Sequence, residues 1–184
     1  MPNSGSTSLR TSSEATETPK YLVFQLGDEL FGMDVMNVRE ITVMYPVTEA
    51  PYLESSIRGL INLRGKIVPV VDLRTRFGLP ERSADSRTST IVVDVDMGRG
   101  PTLVGLIVDS VLEVAQIPPS AIEEPPQFPG GDSPPWILGL AKMGGNVTIL
   151  LKIDQALLPM DDALRQLERA RQSAGPGQSL RGAS

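Results

Sequence analysis

The chain has 184 residues, 40% hydrophobic and only 4% aromatic, with a formal charge of −5, 17 Gly, 16 Pro and neither Cys nor His. This length fits one domain or two small intertwined halves, and the Gly and Pro content favours short strands and turns over long helices. Without Cys there is no disulfide, thiolate nucleophile, zinc–thiolate site or iron–sulfur cluster; without His, Ser-His-Asp and Cys-His chemistry are excluded; and the acidic balance offers no field for nucleic acid.

Residues 1–18 (MPNSGSTSLRTSSEATET) are polar and cannot bury enough apolar area to offset ordering, so a disordered tail is expected. Nothing in it reads as a signal peptide, no apolar run approaches the roughly 20 residues of a membrane helix, and a cytoplasmic protein is expected. Residues 21–26 (YLVFQL), a Gly27-Asp28 turn and 30–35 (LFGMDV) read as a hairpin, followed by a helical turn over 36–41 (MNVREI). A second hairpin spans 57–63 and 67–71 around Arg64-Gly65-Lys66; a third spans 90–95 and 102–108; a fourth spans 137–143 and 147–153 around Gly144-Gly145-Asn146. Leu164 and Leu167, spaced i, i+3 among charged neighbours, mark an amphipathic helix over 159–172, and 173–184 return to tail composition.

The chain repeats itself. Shifted by 73 positions, Gly32, Val35, Val38 and Glu40 fall on Gly105, Val108, Val111 and Glu113. Shifted by 80, Ile57, Gly59, Leu60 and Gly65 fall on Ile137, Gly139, Leu140 and Gly145. Two hairpins recur in the same order at a spacing too long for a solenoid. The fold expected is mainly β: two similar subdomains, each a closed or nearly closed barrel that protects its strand edges, with a few short helices and a C-terminal helix.

No constellation for catalysis emerges, and no enzyme, metal or cofactor is expected. Gly98-Arg99-Gly100 lacks the spacing of a phosphate loop. Asp94, Asp96 and Asp109 could be offered as an acid pair or metal site, and Asp94 and Asp96 share one strand face, but the EF-hand pattern is absent and solvated charge is the expected reading; Arg82, Asp85 and Arg87 read as an exposed loop. Arg64 is more informative. A turn needs Gly65 but not an arginine, so Arg64 is either a solvated turn residue or a planar donor fork for a partner's carboxylate. Glu40, expected to be exposed on the helical turn, either binds a partner or does a structural job such as pairing with Arg39; its counterpart Glu113 favours the second. Trp136 is expected to pack on the core or as a barrel lid, and Phe128, among prolines, either packs or anchors a partner.

The segments YLVFQLGDELFGMDVMNVREI, IRGLINLRGKIVPVVDLRTRFG, VGLIVDSVLEV and ILGLAKMGGNVTILLKID resemble the CheW family, the NLRG-x-IVPVVDLR stretch most specifically. The resemblance covers 19–158 and implies two intertwined five-stranded SH3-like barrels. It implies an adaptor that binds the cytoplasmic tip of methyl-accepting chemoreceptors and the regulatory domain of the histidine kinase CheA, regulates that kinase and is recruited to membrane-associated receptor arrays. It places Val38, Glu40, Arg58, Gly59, Asn62, Arg64 and Phe128 at or near receptor and kinase contacts. The polar tails extend beyond the shared core, so a stand-alone antagonist, or an adaptor of a specialised kinase pathway other than flagellar chemotaxis, is the alternative.

Overall fold

The computed structural model describes residues 17–49, 54–98, 100–125, 131 and 133–173; of the expected tails 1–18 and 173–184, residues 1–16 and 174–184 lie outside them, and Ser173 ends a helix instead. Twelve strands are described: β1 Lys20–Leu26, β2 Glu29–Asp34, β3 Val38–Val43, β4 Thr48–Glu49, β5 Ile57–Leu63, β6 Lys66–Asp72, β7 Ser89–Asp96, β8 Pro101–Val108, β9 Ser110–Gln116, β10 Ile122–Glu123, β11 Ile137–Met143 and β12 Asn146–Leu151. Helices α1 (Leu73–Arg76), α2 (Ile153–Leu157) and α3 (Asp161–Ser173) join them.

The strands form two SH3-like barrel sheets with orders β3-β7-β8-β6-β5-β4 and β10-β11-β12-β2-β1-β9. Each has five long strands plus one two-residue strand, which the sequence reading of five does not include. The chain starts in one sheet, crosses to the other at β3 and returns at β9, so the halves are intertwined. Both shifts of the repeat become geometry. Gly32 pairs antiparallel with Val23 and parallel with Leu150; Gly105 pairs the same way with Val92 and Val70. Even the irregularities recur. Bulges fall at Arg39 and Leu112, 73 apart, and at Arg58 and Leu138, 80 apart.

Strand alternation explains the long apolar runs. On β1, Tyr21 and Val23 face a small core with Ala115, Ala141 and Leu150, while Leu22, Phe24 and Leu26 face the other way. On β7, Val92 faces a second small core with Ile61, Val68 and Val70, while Ile91, Val93 and Val95 face away from it. These outer faces meet in one large cluster between the sheets, so the largest core belongs to both barrels. Stacked rings cross it: Phe24–Phe31 at 6.0 Å, Phe31–Phe77 at 5.6 Å and Phe77–Trp136 at 4.6 Å between centroids. Trp136 is therefore a packing residue, as expected. Leu164 of α3 is buried in the same cluster.

Two local expectations change. The helical turn over 36–41 is only a short 3-10 turn, Val35–Asn37, capped by the Asp34 carboxylate. From Val38 on, β-branched residues and the ladder to β7 make a strand instead. The sequence reading also places no element at β9 or α1. Asp72 ends β6 and caps α1, accepting from the backbone N–H groups of Arg74 and Thr75.

Gly59 is where β4 packs hardest on β5. A Cβ there would meet the Thr48 carbonyl oxygen at 2.1 Å, on a backbone with φ +140°. Gly59→Ala is expected to cost about 3 kcal/mol in chemical denaturation, from strain plus overpacking. Gly65→Ala, with open space around it at φ +85°, is expected to cost about 1 kcal/mol.

Candidate functional site

Strand β5 and the turn after it carry four of the seven sequence-predicted residues, and the two ends form two different places. Arg58 and Gly59 sit at its start, Asn62 and Arg64 at its finish, about 20 Å away at strand rise.

At the far end, Leu63 pairs with Lys66 and leaves a two-residue turn, Arg64-Gly65. Both residues have positive φ, +52° and +85°, and Arg64 is the one non-glycine residue so placed among those described. The Asn62 side-chain oxygen accepts from the Gly65 N–H at 2.8 Å, which gives Asn62 a turn-stabilising role. The equivalent turn of the other barrel has φ +53° and +84° and is built from Gly144-Gly145. The same backbone is thus made in one barrel with glycine and in the other with an arginine that tolerates the left-handed region at a cost of about 1 kcal/mol.

Arg64 is 80% exposed, and its Nη2 lies 3.2 Å from Oε2 of Glu40 on β3. Glu40 is only 22% exposed, so the expectation of an exposed helical glutamate is corrected: it is a half-buried strand residue. Its partner is Arg64 rather than Arg39, because Arg39, at the bulge, turns outward and pairs with Asp94 at 2.7 Å. Val38 packs inward against the shared core. Beyond Glu40 the edge strand exposes Ile41 and Val43, and Met44 follows. Phe128 lies outside the described residues.

At the near end, Arg58 borders a polar cleft of about 600 Å³ whose walls include Tyr45, Val47, Asp72, Arg74 and Asp109. Its buried charges are compensated. Arg58 bonds Asp72, and Arg74 bonds Asp109, which also accepts from the Gly27 N–H at 2.7 Å across the two sheets. Asp85, bonded to the cleft residues Arg82 and Thr88, is held below the usual carboxylate range by the Arg87 backbone N–H, with the guanidiniums of Arg82 and Arg87 beside it. Sequence reading misses Asp72 and Arg74, and weighs Asp109 only as a candidate acid or metal ligand, whereas it pairs with Arg74; the available signal was an acid closing each of the runs IVPVVD and VGLIVD. The aspartates considered as an acid pair do separate jobs: Asp94 binds Arg39, and Asp96 accepts from the Gly98 and Gly100 N–H groups. Among the described residues no group of His, Cys, Asp and Glu could hold a metal, and no helix is long and apolar enough to cross a membrane.

Paired, interlocked barrels with an edge strand, a tight turn and a charge-compensated cleft define the class, a double-barrel β scaffold. The chain belongs to the CheW-like domain family, whose model matches residues 20–158. It is 34% identical over 145 residues to the chemotaxis protein CheW of Klebsiella aerogenes, covering 79% of this chain and 85% of that one. It is 30% identical over 135 residues to the protein FrzA of Myxococcus xanthus, covering 73% and 81%. The solved structure of the scaffolding protein TtCheW from Thermoanaerobacter tengcongensis superposes with a TM-score of 0.65 at 38% identity, covering 73% of this chain and 89% of that one.

The turn comparison makes a prediction about stability. Arg64→Gly should leave the unfolding free energy unchanged or raise it by up to about 1 kcal/mol, because relief of the left-handed strain offsets the added chain entropy. The exposed ion pair to Glu40 contributes little to that balance. Urea denaturation checks it: a loss above about 1 kcal/mol would make Arg64 a structural residue.

Proposed function

We propose that this chain is a chemotaxis adaptor: a cytoplasmic, non-enzymatic scaffold that joins the tips of methyl-accepting chemoreceptors to a CheA-type histidine kinase and regulates its activity. Family membership and the chemotaxis relatives support the class of function. The observation that carries the site is Arg64, a strained, exposed arginine where the fold's own repeat uses glycine. Strain retained at an exposed position is accounted for by a partner, and a guanidinium fixed at a rigid turn suits an acceptor oxygen on one. Glu40 steadies it, and the apolar edge of Ile41 and Val43 supplies contact area beside it.

In this reading the signal passes by rigid geometry. The receptor tip and the kinase regulatory domain each engage a face of a body that the shared core makes stiff. No cofactor takes part. The cytoplasmic placement next to membrane-bound receptor arrays follows from those partners.

The test combines the purified protein, a CheA-type kinase and receptor signalling fragments, with kinase autophosphorylation as readout. Activation is expected only when all three are present. Arg64→Ala should weaken receptor binding about tenfold, roughly 1.4 kcal/mol. Unchanged receptor affinity with kinase binding intact would remove the receptor half of the reading. Kinase binding with flat or reduced activity would instead make the chain a stand-alone antagonist.

A further inference from the structure

Arg58 is the extra residue of the bulge that opens β5: Ile57 pairs with Val71 and Gly59 with Val70, leaving Arg58 without an opposite number. A bulge re-aims the side chain it carries, and here that side chain meets a prepared anchor. Oδ2 of Asp72 accepts from Arg58 Nε at 3.1 Å and Nη2 at 2.9 Å. The other oxygen, Oδ1, accepts from the backbone N–H of Arg74 at 2.9 Å and so is fixed by the start of α1. Two donors on one side and the helix cap on the other leave the carboxylate little freedom. The pair is graded in exposure, 8% for the Asp72 side chain and 37% for Arg58. The anchor is buried and the cation emerges at the cleft rim. Arg58 Nη1 faces Glu81 at 3.9 Å, a carboxylate that is 72% exposed and readily displaced.

The repeat supplies an internal control. Shifted by 80, Arg58 and Asp72 become Leu138 and Lys152. The backbone there is the same: a bulge at Leu138, and Lys152 N–H bonded to the Trp136 carbonyl at 2.8 Å, as Asp72 N–H is bonded to that of Ser56 at 2.8 Å. The barrel is therefore built without this ion pair, and the fold does not require it.

We propose that Asp72 is a positioning residue that aims the Arg58 guanidinium out of the bulge toward a partner's acceptor oxygen, which takes the place of Glu81. The inference rests on the reading of Arg58 as a partner-facing residue and adds what makes it competent. Holding Arg58 in one orientation removes the rotamer entropy that a free arginine would lose on binding. Asp72 acts through Arg58 and need not touch the partner.

The experiment is a double-substitution cycle on the full chain, with affinities for the kinase regulatory domain and for a receptor-tip fragment measured by titration calorimetry. Arg58→Ala is expected to weaken one partner about tenfold. Asp72→Asn, which keeps an oxygen for the α1 cap but loses the charge that holds Arg58, should weaken the same partner several-fold at a melting temperature near the original. The combined variant should bind no worse than Arg58→Ala alone. In NMR the Arg58 Nε–H resonance should be resolved and slow to exchange, and should lose both properties in Asp72→Asn. A second variant guards against a folding artefact: Arg58→Leu with Asp72→Lys, the pair the other barrel carries, should fold normally and bind like Arg58→Ala. If Arg58→Ala weakens binding while Asp72→Asn does not, or if the two losses multiply, the positioning role is wrong. If Arg58→Ala changes neither affinity, the partner-facing reading of Arg58 falls, and the positioning role with it.

Discussion

The structure depends on burying several strands on both faces. β1, β7 and β8 each turn alternate side chains into a barrel's own small core and the others into the cluster between barrels. A small barrel by itself buries a smaller fraction of its surface than a larger domain does. Sharing the larger core makes each barrel the other's missing layer. The intertwined path reinforces this, since β1 and β2 complete a sheet whose remaining strands arrive only from β9 onward.

Stiffness has a functional consequence. With the middle of the molecule committed to packing, the features left at the surface are edges, turns and bulges, and the proposed contacts use them. The edge strand β3, the Arg64 turn and the Arg58 bulge are of these kinds, and all lie in one barrel. Their counterparts in the other barrel keep the backbone and change the side chains: Arg58 to Leu138, Asn62 to Lys142, Arg64 to Gly144, Asp72 to Lys152. A repeat thus separates what the fold needs from what one copy adds. Gly32 and Gly105 are kept because a Cβ at either would press on a neighbouring side chain, Leu150 at 2.8 Å or Thr90 at 3.2 Å. Arg58, Arg64 and Asp72 are not kept, whereas Glu40 recurs as Glu113, so the packing common to both barrels does not explain those three.

The candidate site was legible in part. Arg64 stands out in the sequence because a Gly65 turn does not call for arginine, and the structure adds that its backbone is strained. Glu40 was visible as a residue but not in its role. The local pattern MNVREI reads equally as a helical turn, and only the ladder to β7 makes it a strand and sets Glu40 against Arg64. Asp72 and Asp109 look like ordinary strand-ending acids. Their partners are 14 positions away for Arg58 and 35 for Arg74.

By itself the sequence determined the mainly-β class, the four main hairpins, the twofold repeat and the absence of cysteine and histidine chemistry. Each of these is written in local periodicity, turn residues or composition. Only the tertiary structure decided which hairpin joins which sheet, that the largest core lies between the barrels, and that Arg64 meets Glu40 while Arg58 meets Asp72. Those facts are contacts between distant segments, and an exchange of strands between two barrels of the same strand order leaves the local pattern of each strand unchanged.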